Sequence, residues 1–130
     1  MSKSNGEISI TFMSGPRDGE KMSFDQPDRG DERIVTIGRR ETCDIHLGSD
    51  NQVSRLHARL GCESVEVTSS ESVTSPYMLQ FWLEDGSSRN GTFVEKNPDA
   101  IKSRVTLRPG TLFRIGRTWL RLDVPLTFDT

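Results

Sequence analysis

Three short polar segments hold the residue types that could do chemistry: Gly38-Arg39, Val53-Ser54-Arg55-Leu56-His57 and Ser88-Arg89-Asn90-Gly91-Thr92. Each adjoins an apolar, β-rich run, so each reads as a loop at the end of a strand. Loops at the ends of neighbouring strands can share one rim. Gathered there, the segments would set arginine forks, a hydroxyl and an amide around one point. That assembly recognises a phosphate group without reacting with it.

Every one of these residues also has a plainer role. Arg39 could pair with Glu41 or Asp44 at the surface, and Arg55 could sit in a solvated salt bridge. The Ser54 hydroxyl could close a local turn, and Asn90-Gly91 suits a tight hairpin because both residues tolerate positive φ. His57 leads into an apolar strand and is expected to be a satisfied structural histidine that pins the Ser54 loop. Two other chemistries compete. Cys43, His46, His57 and Cys62 stand at zinc-like separations and form the alternative reading, although 43 and 46 would point to opposite faces of an extended strand. Ser54, His57 and Asp85 supply the types of a hydrolytic triad, but Ser54 lacks the Gly-x-Ser-x-Gly elbow.

Composition narrows the field. A chain of 130 residues fits one domain with a real core. Its formal net charge is −2, which provides no bulk positive field for nucleic acid or an anionic membrane. Of the 17 basic residues only Lys3, Lys21, Lys96 and Lys102 are lysine, so the chain is biased toward the side chain that grips phosphate with two parallel bonds. Two cysteines and a polar Met1–Glu7 stretch favour a reducing, cytoplasmic setting over a disulfide scaffold or a signal peptide. No apolar run approaches the roughly 18 residues of a membrane-spanning helix, so membrane insertion is not expected.

The elements that must position the polar loops are strands. Residues 1–6 read as a disordered lead-in. Ile8, Ile10 and Phe12 then alternate with polar residues over Glu7–Met13, and Lys21–Phe24 returns after a turn-rich stretch. Arg33–Ile37 and Asp44–Leu47 flank the Arg39 segment. Ala58–Cys62 is extended, and Glu63–Ser75 reads as a long hairpin or mobile loop ended by Pro76. Met78–Glu84 is the clearest buried strand, with Leu79, Phe81 and Leu83 on one face and Met78, Gln80 and Trp82 on the other. Thr92–Glu95, Arg104–Leu107, Thr111–Ile115 and Thr118–Val124 complete the set, and 125–130 reads as a tail. No window repeats apolar residues with helical period. Short strands with turn signals between them indicate an all-β, two-sheet sandwich with binding loops at an end.

A family resemblance rests on an ordered set of blocks. Gly38-Arg39, Cys43-Asp44-Ile45, Val53 to Ala58, Leu83-Glu84-Asp85, Ser88 to Val94, Leu107-Arg108-Pro109-Gly110 and Ile115-Gly116 closely resemble those of the forkhead-associated (FHA) domain over residues 7–124. The resemblance implies an FHA/SMAD-like sandwich of about eleven strands that binds phosphothreonine peptides through loops at one end. It further implies that Arg39 is the main phosphate-binding arginine and Ser54 the phosphate-binding serine. Arg55 would contact phosphate or peptide backbone, Arg89 would add a charged contact, and Asn90 would hold the peptide main chain. Gly38, His57, Gly91 and Thr92 would shape the loops. Flanking residues of the ligand are expected to meet Gln52, Ser87 or Ser88. The expectation is therefore a non-catalytic signalling module without a cofactor. Its partner would be a threonine-phosphorylated protein supplied by a Ser/Thr protein kinase.

Overall fold

The computed structural model describes residues 7–66 and 77–124. The expected lead-in 1–6, the tail 125–130 and the centre of the Ser/Thr-rich stretch, 67–76, lie outside them. Ten strands form among the described residues: β1 Glu7–Phe12, β2 Lys21–Asp25, β3 Glu32–Gly38, β4 Ile45–His46, β5 Ala58–Glu66, β6 Tyr77–Asp85, β7 Thr92–Val94, β8 Val105–Leu107, β9 Leu112–Ile115 and β10 Thr118–Asp123. They make two five-stranded sheets, ordered β2-β1-β10-β9-β7 and β4-β3-β5-β6-β8. All the pairings are antiparallel except β3 with β4. No helix among the described residues is long and apolar enough to cross a membrane.

Alternation explains the sandwich. Ile8, Ile10 and Phe12 from β1, Leu120 and Leu122 from β10, and Phe113 and Ile115 from β9 meet Val35, Ile37, Leu60, Phe81 and Leu83 of the opposite sheet in one buried cluster. Each such side chain contributes about 1.5–3 kcal/mol when removed from water.

Register then fixes where the loops emerge. Ile37 pairs with Ala58, and Ala58 pairs with Asp85. The end of β3, the start of β5 and the end of β6 therefore share one row. The segments that leave this row, beginning at Gly38, ending at His57 and beginning at Gly86, must share one end of the sandwich.

Two stretches differ from the alternation pattern, for physical reasons. The strand expected at Ala58–Cys62 continues to Glu66, with Ser64 buried and Val65 half-exposed. Inward serine and outward valine invert the usual signal. Ser64 is held by backbone bonds instead, donating from its N–H to Asp31 O at 2.9 Å and accepting at its carbonyl from Gly30 N–H at 3.1 Å. Trp82 lies on the outer face of its sheet yet is 5% exposed. Its register partner is Gly61, and the space a Cβ would take there is filled by the indole ring. Arg104 covers the other side, 3.7 Å from the ring centroid.

Candidate functional site

The three polar segments meet at the end defined by the Ile37–Ala58–Asp85 row, joined by backbone bonds. Arg39 N–H donates to Ser54 O at 3.0 Å and Arg40 N–H to Arg55 O at 3.2 Å. These two rungs lay the β3–β4 loop against the Ser54 segment. A Cβ at Gly38 would collide with the Arg55 carbonyl and with Cys43 Sγ, so the close approach requires glycine. Arg39 Nε donates to Val53 O at 3.0 Å. That bond anchors the guanidinium by its stem, and its outer nitrogens have no partner among the described residues.

His57 ties this loop to the Asn90 turn. The residue is fully buried. Ser54 N–H donates to its Nδ1 at 3.0 Å, so the ring proton sits on Nε2 and is donated to Gly91 O at 2.8 Å. Its backbone bridges as well, His57 N–H to Ile37 O at 2.9 Å and Gly86 N–H to His57 O at 2.7 Å. Both ring nitrogens are thus taken by main chain, and neither reaches the Ser54 hydroxyl. The triad of Ser54, His57 and Asp85 weighed from residue types is not assembled.

Asp85 instead organises the turn that carries Arg89 and Asn90. Its carboxylate accepts from Ser88 Oγ at 2.6 Å, Ser88 N–H at 2.9 Å and Thr92 Oγ1 at 2.7 Å. Partial burial raises the carboxyl, but these hydrogen bonds outweigh it and hold Asp85 below the usual carboxylate range. Ser88 Oγ in turn accepts from Gly91 N–H at 2.9 Å. Gly91 has φ +86°, a left-handed conformation that costs glycine least. Ser88 is therefore spent inside the loop, which corrects the expectation that it reads ligand. Ser87 lies beside a separate groove with Lys102 and Arg104, whereas Gln52 does face the cleft.

What remains is an open cleft of about 390 Å³ lined by Arg39, Arg40, Gln52, Ser54, Arg55, Arg89 and Asn90, among others. No carboxylate lines it, and none of its four arginines makes an ion pair among the described residues. Nearby acids are engaged elsewhere. Asp44 accepts from Thr36 N–H and Oγ1, and Asp50 accepts from Gln52 N–H, Arg117 N–H and Thr118 Oγ1. The expected plain pairing of Arg39 with Asp44 or Glu41 is absent. Ser54 Oγ accepts from Arg89 N–H at 2.9 Å, which leaves its own proton to donate into the cleft. Asn90 Nδ2 donates to Gln52 O at 2.8 Å, and its Oδ1 stays available as an acceptor.

The zinc reading is corrected by the same geometry. Cys43 Sγ donates to Arg55 O at 3.4 Å, His57 is occupied, and His46 is exposed at the β4 edge. Cys62 lies in mid-β5, where burial, with Glu63 beside it, pushes the thiol up to about 12. No group of three or more potential ligands comes together among the described residues.

The family model of the FHA domain matches residues 35–116. The chain belongs to the FHA domain family. Its sandwich is also that of solved FHA domains. The FHA domain of an Arabidopsis thaliana hypothetical protein is 22% identical with a TM-score of 0.67, over 100% of this chain and 98% of that one. The FHA domain of the CT664 protein of Chlamydia trachomatis is 23% identical with a TM-score of 0.64, over 93% and 100%. An FHA domain studied for phosphothreonine-dependent interactions is 20% identical with a TM-score of 0.58, over 92% and 99%. No curated protein sequence matches the chain.

Of the residues singled out beforehand, Arg39, Ser54, Arg55, Arg89 and Asn90 all line this FHA domain's cleft. Gly38, His57, Gly91 and Thr92 lie beneath or behind it. Sequence reasoning missed Arg40 as a lining residue and Asp85 as the brace of the turn. The signals were there: Arg40 prolongs the basic run at a strand end, and an aspartate three residues before a serine suits an Asx-type turn.

Proposed function

We propose that this FHA domain is a non-catalytic phosphopeptide-binding module that recognises phosphothreonine in a partner protein, downstream of a Ser/Thr protein kinase in cytoplasmic signalling. One observation carries the reading: four arginines with no carboxylate among them surround the Ser54 hydroxyl in a single open cleft. A phosphothreonine brings a charge of about −1.5 to −2 and three acceptor oxygens. Arg39 is the central fork, Ser54 donates its hydroxyl proton, Arg55 and Arg89 add charge, and Asn90 holds the peptide main chain. Unmodified threonine offers these donors no anion, so phosphorylation is the switch. Preference for phosphothreonine over phosphoserine would rest on one methyl in a small pocket, worth about 1–3 kcal/mol.

Two further points support binding rather than catalysis. Ser54 has no base, because His57 is consumed by backbone groups. A fold relative has been studied for phosphothreonine-dependent interactions. The test is calorimetric titration with matched phosphorylated and unphosphorylated threonine peptides. Binding of the phosphorylated peptide alone, lost in Arg39→Ala, is the expected result; equal binding of both peptides would defeat the proposal.

A further inference from the structure

Arg40 lines the cleft yet takes no part in the phosphothreonine contacts given to Arg39, Ser54, Arg55, Arg89 and Asn90. The two residues after it, Glu41 and Thr42, form the tip of the β3–β4 loop, and both are exposed. The base of this tip is tied down. Arg39 N–H and Arg40 N–H make the rungs to Ser54 O and Arg55 O, and Cys43 N–H donates to Arg40 O at 3.0 Å, closing a turn across the tip. Glu41 and Thr42 themselves make no hydrogen bond or ion pair among the described residues. A loop tip closed by one backbone bond opens at low cost, so an enzyme can reach the Thr42 hydroxyl. That hydroxyl stands three residues after Arg39 and two after Arg40. Two exposed guanidinium groups at this spacing are the charge pattern by which Ser/Thr kinases with acidic subsites choose an acceptor.

We propose that Thr42 is itself a phosphorylation site for an arginine-directed Ser/Thr kinase, and that the phosphate placed there weakens the cleft for its ligand. The kinase transfers the γ-phosphoryl group of ATP to Thr42 Oγ1, with ADP leaving and the hydroxyl proton passing to solvent. Two residues span at most about 7 Å of chain, so the new phosphate lies within reach of the Arg40 fork and forms charge-assisted bonds with it. It also brings a charge of about −1.5 to −2 to the rim of a cleft that no carboxylate lines, where it repels an incoming phosphothreonine. The loss of binding rests on the phosphothreonine reading of the cleft; the acceptor role of Thr42 does not.

The test incubates the full chain with Mg-ATP and the catalytic subunit of a cyclic-AMP-dependent protein kinase, an arginine-directed enzyme. Mass spectrometry should place phosphate on Thr42, absent from that position in Thr42→Val and reduced about fivefold or more in Arg40→Gln. Melting curves verify that both variants fold. Calorimetric titration with a phosphothreonine peptide should then show affinity about five- to tenfold lower for the chain phosphorylated on Thr42, a loss that shrinks as salt is added. Unmodified Thr42→Val should bind within about twofold of wild type, because the side chain lies outside the cleft, and kinase treatment should leave its affinity unchanged. No phosphate on Thr42, or phosphate there with peptide affinity still within about twofold, overturns the proposal and leaves the phosphothreonine reading standing. Equal binding of phosphorylated and unphosphorylated peptides by the untreated chain overturns that reading and the loss of binding with it, whereas the mass spectrum decides the acceptor role on its own.

Discussion

Two sets of arginines in this FHA domain have opposite surroundings. On the outer face of the β4-β3-β5-β6-β8 sheet, Arg59 and Arg104 both reach Glu84, at 3.6 and 2.9 Å, and Arg104 also lies over Trp82. Arg17 and Arg121 likewise face carboxylates, Glu20 and Asp123. At the loop end, Arg39, Arg40, Arg55 and Arg89 have no such partners among the described residues, and the acids within reach are turned to backbone and hydroxyl donors. An arginine answered by its own chain is part of the structure, whereas the clustered four at the loop end are the ones the proposed function assigns to an anion from outside. Charge totals hide this difference, since a chain of net charge −2 still concentrates four positive groups in one cleft.

The comparison predicts a division between stability and binding. The largest effect should come from what holds the loop end together. His57→Ala removes a fully buried ring and strands Ser54 N–H and Gly91 O, at a cost of about 3 kcal/mol. A fall in melting temperature of roughly 10 °C is expected, measured by thermal denaturation. An unchanged melting temperature with lost phosphopeptide binding would make His57 a ligand contact instead of a brace.

Arg39→Ala should show the reverse pattern. Its guanidinium is anchored only through Nε, at 3.0 Å from Val53 O, so the melting temperature should move by no more than a few degrees. Phosphothreonine-peptide affinity should drop about 30- to 100-fold, the scale of charge-assisted hydrogen bonds lost from a desolvated ion pair. Titration calorimetry reads this directly.

Asp85→Asn falls between the two sets, because Asp85 is an acid that serves the cleft without facing it. The carboxylate is held below its ordinary range in the fold, so its contribution is present above the unfolded value near about 3.9 and is lost as pH falls through the folded value. The variant should melt a few degrees below wild type at pH 7, a loss of about 1–2 kcal/mol. Melting curves below about pH 4 should show that gap closing; a gap that persists there would place the loss in packing rather than charge.

Legibility in the sequence followed the range of the interactions. Strands whose inward residues are large and apolar, such as β1 with Ile8, Ile10 and Phe12, were plain from alternation. The continuation of β5 to Glu66 was not, because Ser64 points inward and its backbone is bonded to Gly30 and Asp31, far away in the sequence. What covers Trp82 was not legible either, because its burial depends on Gly61 and Arg104, neither adjacent in sequence. At the site, ordered short motifs marked Arg39, Ser54 and Asn90, whereas Arg40 enters the cleft only through a rung to Arg55. The emptiness of the cleft of acids was beyond sequence reading altogether, since Asp44, Asp50 and Asp85 stand close by in the chain and only their hydrogen bonds show them occupied.

The smallest effect tests the paired set. Arg104 is about half exposed, with a side-chain accessibility of 54%, and Glu84 is at 32%, so solvent screens their attraction and the pair is worth less than about 1 kcal/mol even with the Trp82 contact. Arg104→Ala should lower the melting temperature by about 3 °C or less and leave phosphopeptide affinity within about twofold, because a charge outside the cleft acts on the ligand only through screened solvent. Should this variant weaken binding as far as Arg39→Ala does, the anion would be held by the summed field of the protein. The distinction between answered and unanswered arginines would then carry no functional meaning.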